Sequence, residues 1–252
     1  MLRISIIIFV MFLLYSCKDK KPSNPVVELP MGELELVHSY DINVPEPSGL
    51  CFGPGGNTLL TVSDNSNQIY ELDFEGNILR VLNFTGRDLE GVTYNPDENL
   101  IAVVDERDRE VTLVDYESGN KTETFNINIP VGSENSGLEG ISYNINNKYY
   151  YIVNEINPEL LVIWNPASGI ISQENLKFAL DYSGIYVDAV QSQLWYVSDE
   201  SQRIYQCDYN NNVLMAFNLG QLKFEGIAIN GNIIYLINDA TAVLNIYKIK
   251  NN

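Results

Sequence analysis

Short apolar runs rich in Ile, Val and Tyr, separated by Gly, Asn, Asp and Pro, recur along most of the chain. Such runs with turn chemistry between them predict β-strands. The runs recur in a fixed order. An acidic residue or Ser, then Gly, then an apolar strand occurs five times: EPSGLCF at Gly49, DLEGVTY at Gly91, GLEGISY at Gly140, DYSGIYV at Gly184 and KFEGIAI at Gly226. The spacings are 42, 49, 44 and 42 residues. A second apolar run follows each Gly and ends in acid or amide: TLLTVSD to Asp64, LIAVVDE to Glu106, YYYIVNE to Glu155, LWYVSDE to Glu200 and IIYLIND to Asp239. A third strand comes next (QIYELD, EVTLVD, LLVIWN, RIYQCD, LNIYKI), then the turns FEGN, YESGN, PASG and YNNN after the first four. A fourth strand is expected in the first four units: ILRVLNF, TETFNI, a weaker segment at Leu176–Leu180, and VLMAFNL.

Four antiparallel strands in about 44 residues is the sequence form of a β-propeller blade. The fold class is therefore all-β, a five-bladed β-propeller spanning 34–252. The fifth unit has three strands. LELVHSYDI, Leu34 to Ile42, precedes the first unit and supplies the missing one, so the last blade is closed by the N-terminal strand. Such closure removes an open sheet edge. A β-sandwich does not account for a repeat of this period.

The first residues read as an address. Arg3 precedes an apolar run from Ile6 to Leu14, too short to span a bilayer, which takes about 20 residues. The length and basic start suit a signal peptide over residues 1–16. LLYSC resembles a bacterial lipobox and implies cleavage before Cys17, with lipid on its sulfur. Residues 17–33, polar and Pro-rich, are expected to be a flexible tether. These features place the domain on the bacterial cell envelope, held to a membrane through Cys17, periplasmic or surface-exposed.

Composition narrows the chemistry. With 15 Lys+Arg against 33 Asp+Glu the formal net charge is −18, which opposes nucleic-acid binding. A lone His, His38, excludes a three-His zinc site and leaves His38 as a surface or packing residue. Cys51 and Cys207 fall in different units and are expected to be buried free thiols. No P-loop, nucleophile elbow, zincin motif or dinucleotide fingerprint occurs. Trp164 and Trp195 read as inter-blade packing.

Taken together, the lipobox, EPSGL, VSDNSNQIYELDFEGNIL and DLEGVTY resemble the SdiA-regulated family of bacterial envelope proteins, over about Leu34 to Ile249. The similarity to esterase-like phytases and to NHL or gluconolactonase-type propellers is more distant. The resemblance implies a five-bladed propeller and carries no established chemistry.

Blade geometry adds a functional expectation. The first strand of each unit lines the axial channel, and the second runs back beside it. Residues just before each Gly and at the end of each second strand therefore share one mouth. Glu90, Glu139, Glu155 and Glu225 form the centre of a candidate Ca²⁺ site there, with Glu46, Asp64, Glu106, Glu200 and Asp239 around the mouth. Asp88, Asp105, Asp181 and Asp199 lie on the same approach, with Asn65, Asn154 and Asn238 as neutral oxygens. Arg107, Arg109, Arg203 and Lys223 are the nearby counter-charges. Converging carboxylates repel, and Ca²⁺ accepts six to eight such oxygens. Repetition in several blades favours a packing role, in which each Glu bonds backbone N–H groups of the next blade. Metal binding comes second and catalysis last. Three function classes follow: a monomeric binding or scaffold module for an unknown protein or small-molecule ligand, a metal-dependent hydrolase of phosphoesterase or lactonase type, or a purely structural lipoprotein.

Overall fold

The computed structural model describes residues 29–130, 136–220 and 223–250. Cys17 and the proposed signal peptide lie outside the described residues, as does the tether up to residue 28. Five antiparallel sheets follow one another along the chain. Blade 1 holds strands Pro47–Phe52, Leu59–Ser63, Gln68–Leu72 and Ile78–Thr85. Blade 2 holds Leu89–Asn95, Leu100–Asp105, Glu110–Asp115 and Lys121–Asn126. Blade 3 holds Leu138–Asn144, Tyr149–Asn154, Leu160–Asn165 and Gly169–Asn175. Blade 4 holds Gly184–Asp188, Gln193–Ser198, Arg203–Asp208 and Val213–Asn218. Blade 5 holds Phe224–Asn230, Ile233–Asn238 and Val243–Ile249, and Leu34–Asp41 joins it antiparallel, Leu34 opposite Ile249. The count of five and the closure by the N-terminal strand are as the repeat predicted.

Two expectations are corrected. The fourth strand of blade 3 is Gly169–Asn175, not Leu176–Leu180. It is an edge strand, mostly exposed, in which only Ile170 and Ile171 are apolar, so its apolar signature is short, whereas Leu176 is buried against blade 4. The second correction concerns the tether. Its last residues belong to the domain: Met31–Gly32 lie parallel to Ala216–Phe217 as a fifth strand on blade 4, and Leu29 packs on the core there.

The core is divided among the interfaces between blades. Five apolar clusters each join two neighbours, the last joining blade 5 to blade 1 through Ala228, Ile237 and Leu244 against Leu50, Leu59 and Leu72. Strand alternation assigns side chains to interfaces. Tyr150 faces the blade 2–3 cluster and Tyr151 the blade 3–4 cluster. Trp164 and Trp195 are buried in such interfaces, and Cys51 and Cys207 are buried free thiols. His38 is exposed and stacks on Tyr40.

At the axis the blades touch backbone to backbone. A Cβ on Gly91 would lie 2.6 Å from the Glu139 carbonyl oxygen, on Gly184 2.9 Å from the Glu225 oxygen, and on Gly226 2.5 Å from the Gly49 carbonyl carbon. Gly49 and Gly140 meet the next blade in the same way. Two tiers of bonds from side chains to the next blade's backbone sit above and below this contact. Ser48 and Ser183 donate to the carbonyls of Glu90 and Phe224 (2.7 and 2.9 Å). Thr93 and Ser142 accept the N–H groups of Tyr143 and Val187, each at 3.0 Å. The space left between the repeat glycines is about 10 Å³, room for a single water at most. The expected axial channel is therefore closed, and the acidic mouth is a shallow bowl over a plugged axis.

A Cβ here cannot be relieved by a side-chain rotation, because the obstacle is the next blade's main chain. Gly91→Ala is expected to cost at least the ~1–3 kcal/mol of an overpacked core. Gly169→Ala, where a Cβ meets nothing within 4 Å but φ is +72°, is expected to cost about 1 kcal/mol. Urea unfolding of the two variants checks this; equal losses would contradict the steric account.

Candidate functional site

The repeat builds the acidic bowl through hydrogen bonding at the strand ends. The second strand of each blade returns beside the approach to the first: Asp64 N–H bonds Glu46 O, Glu106 N–H bonds Asp88 O, Glu155 N–H bonds Gly137 O, and Asp239 N–H bonds Lys223 O (3.0–3.2 Å). This pairing places the two sets of carboxylates on one face, as the blade geometry predicted.

A local irregularity then aims three of them. Leu89 pairs with Asp105 and Gly91 with Val104, so Glu90 is an extra residue in its strand. Glu139 and Glu225 occupy the same bulge before Gly140 and Gly226. A bulge breaks strand alternation and re-aims the side chain of its extra residue. Blade 1 shifts its register at Gly49, and the first two strands of blade 4 pair without a shift.

Two groups of three carboxylates result. One oxygen from each of Glu106, Glu139 and Glu155 lies within 4.8 Å of the others, and the same holds for Asp64, Asp88 and Glu90. Glu139 is buried, with 7% of its surface exposed. Glu225 stands with Asp239 around Lys223, whose Nζ is 3.8 Å from each. Glu46 and Glu200 are exposed on the rim; they act on the bowl through charge, on Asp64 and Glu155 respectively.

The packing role expected for the repeated Glu is filled in part: Glu106 accepts the N–H of Gly137 in the next blade at 3.3 Å. The Ser members, Ser48 and Ser183, make the bonds to the next blade. Nor do all the expected amides and cations serve the bowl. Asn238 Oδ1 accepts from Thr241 N and Oγ1, so that oxygen is engaged in a turn. Asn65 is exposed, whereas Asn154 is buried, its Oδ1 without a partner among the described residues while its Nδ2 bonds Pro158 O at 2.8 Å. Arg203 binds Asn218, whereas Arg107 pairs with Asp88 at 3.0 Å. Asp181, outside the nine residues proposed, is buried and accepts Ser198 Oγ and the Asp199 and Glu200 N–H groups; it fixes the turn that carries Glu200.

Burial and mutual repulsion hold protons on the bowl. Burial first, and Asp88 second, push Glu106 to about 7. Burial, with Asp181 and Glu106, pushes Glu155 to about 7. Glu225 rises to about 8 by burial, although Lys223 opposes it. Glu90 and Glu139 rise well above the usual carboxylate range, by burial and then by Asp64 and Glu90 respectively. The donor set is all carboxylate oxygen, hard and anionic, which suits Ca²⁺ or Mg²⁺ and not a soft metal.

The chain belongs to the SdiA-regulated family. The family's model matches residues 38–238, from the closing strand to the end of the second strand of blade 5. Solved structures share the fold. Glutaminyl cyclase of Myxococcus xanthus superposes with a TM-score of 0.68 at 11% identity, covering 89% of this chain and 100% of that one. A catalytically inactive virginiamycin B lyase of Staphylococcus aureus with quinupristin gives 0.53 at 19%, covering 80% of this chain and 66% of that one. The Cps50 (Swd1) β-propeller domain of Myceliophteria thermophila gives 0.54 at 9%, covering 86% and 100%. At these identities they show that the SdiA-regulated chain is a propeller and nothing of its chemistry.

The raised carboxyl groups set a pH dependence. Each binds its proton more tightly folded than unfolded, so the stability it contributes is full below about 4.5 and lost as pH rises through about 7 to 8. In chelator, the melting temperature is expected to fall between pH 5 and pH 8, and to fall less in Glu106→Gln/Glu155→Gln. A flat or rising profile would contradict the arrangement.

Proposed function

We propose that the protein is an envelope-anchored propeller lipoprotein whose acidic bowl binds Ca²⁺ or another divalent cation, and that it works as a binding module for an external protein or small molecule. The observation that carries the reading is the meeting of Glu106, Glu139 and Glu155, from blades 2 and 3, with oxygens within 4.8 Å of one another. Such a group is costly as it stands: protonated it buries polar acids, ionised it repels. A cation that displaces the protons offsets both costs. Glu106, Glu139 and Glu155 would hold it, and Asp64, Asp88 and Glu90 form the second group beside them. Anchoring rests on the sequence alone, on LLYSC and Cys17. Among the described residues no helix is long and apolar enough to cross a membrane.

A metal-dependent hydrolase of phosphoesterase or lactonase type is the second reading. Glu106 and Glu155, pushed to about 7, suit a general base at neutral pH. Two of the structures that share the fold are named as a cyclase and a lyase, so the scaffold supports catalysis elsewhere. Against it, Arg107 and Lys223 are the cations paired with bowl acids among the described residues, poor provision for a phosphate-rich substrate. Binding therefore ranks above hydrolysis.

Calcium titration at pH 8 tests the metal. At one hundred times Kd the bound ion stabilises by about 2.7 kcal/mol, a rise of roughly 5–10 °C in melting temperature for a domain of this size. Glu90→Gln/Glu139→Gln is expected to lose that rise. An unchanged melting temperature in the natural protein would remove the metal reading. Calcium-dependent turnover on a phosphoester and lactone panel would put hydrolysis above binding.

A further inference from the structure

The end of the axis opposite the acidic bowl carries a second cavity, of about 420 Å³. It lies where the first strands of blades 1 to 4 run into their turns, and its lining begins two residues after the repeat glycines, at Cys51, Thr93, Ser142 and Tyr186. Nothing in the acidic bowl contributes to it, so it stands or falls separately from the cation site.

Its walls are aromatic. Tyr94 and Tyr143 are fixed by their own hydroxyls, which donate to Asn99 Oδ1 at 2.7 Å and Asp97 Oδ2 at 2.6 Å. Phe52 meets Tyr186 edge to face, with ring centroids 6.5 Å apart. The rim is apolar and open to solvent: Ile145 is 47% exposed and Val190 89%. Val190 sits at a turn tip, where such a side chain gains nothing from the fold.

The polar groups at the floor are donors. Thr93 and Ser142 are buried, 4% and 6% exposed, and each uses an oxygen lone pair to accept the next blade's N–H. Neither hydroxyl donates its proton to any described residue, and nor does Tyr186. Two buried O–H groups and one phenol are thus left to donate at the edge of an aromatic cavity. Among the described residues Asp188 is the single charged one of the lining, and its Oδ1 is engaged by the N–H groups of Val190 and Gln191 (3.0 and 2.9 Å). With no Lys, Arg or His among the described lining residues, an anion finds no counter-charge from them.

We propose that this cavity binds an uncharged planar ring compound carrying a hydrogen-bond acceptor, its ring between the aromatic walls and its acceptor at the Thr93, Ser142 and Tyr186 hydroxyls. The volume falls within the range of small-molecule sites, and the combination of apolar walls with a few convergent donors is their usual chemistry.

The test uses the full chain and three matched probes: 2-naphthamide, 2-naphthoate and 2-naphthylmethylamine. Titrations are followed by backbone amide shifts and by the fluorescence of the probe. The amide is expected to bind saturably, with shifts grouped at Thr93, Ser142, Tyr186 and Val190, and to bind about tenfold more tightly than the carboxylate. Tyr186→Phe keeps the ring and removes one donor; it is expected to weaken the amide about fivefold, the worth of one hydrogen bond. Chelator is expected to leave this affinity unchanged. The proposal is overturned if the amide does not saturate, if the carboxylate binds as well, if Tyr186→Phe binds unchanged, or if the shifts gather around Glu139.

Discussion

The structure depends on how closely five inner strands can approach a common axis. Each repeat Gly sets its Cα against the main chain of the next blade, and the distances a Cβ would face, 2.5–2.9 Å, leave no other residue a place. The contact leaves only about 10 Å³ along the axis of the five-bladed ring. The Ser48, Thr93, Ser142 and Ser183 bonds between blades form only because the backbones are already that close. The five apolar clusters close around the same contact, so the core and the axis are held by one geometry.

That geometry also crowds the acids. A plugged axis turns what would be a pore into a bowl, and the bulges before Gly91, Gly140 and Gly226 swing a Glu from each of three blades into it. Burial then acts with repulsion, and Glu106, Glu155 and Glu225 hold protons near neutrality. Electrostatic cost concentrated at one spot of an otherwise regular repeat is how functional sites commonly appear in a stable scaffold. The opposite end of the axis is built from the same strands yet is neutral and aromatic, so one ring offers two surfaces of unlike chemistry.

Much of this was legible in the sequence, for physical reasons. Blade number, strand order and ring closure follow from the Gly-centred repeat and from the short apolar runs with turns between them, which buried inner strands cannot avoid. The shared face of Asp64, Glu90, Glu106, Glu139, Glu155, Glu225 and Asp239 follows from antiparallel pairing alone. The bulges did not show, because a bulge adds one residue without altering composition; only pairing reveals that Glu139 is the extra residue. The Gly contacts and the closed axis depend on the distance between blades, which no single unit encodes. Gly169–Asn175 was missed because only Ile170 and Ile171 in it are apolar and the rest of this edge strand is polar, and Met31–Gly32 because two residues carry no period. The lower cavity had a faint signal, the small polar residues Thr93 and Ser142 two places after the repeat Gly, with Tyr beside each.

The central claim is that the ring gathers its carboxylates so that a cation can hold them. Diffraction from crystals grown at pH 8 in calcium tests it most directly. The account predicts an anomalous peak bound by oxygens of Glu106, Glu139 and Glu155. Carboxyl pairs sharing protons at that spot, with no peak above the water level in saturating calcium, would contradict it.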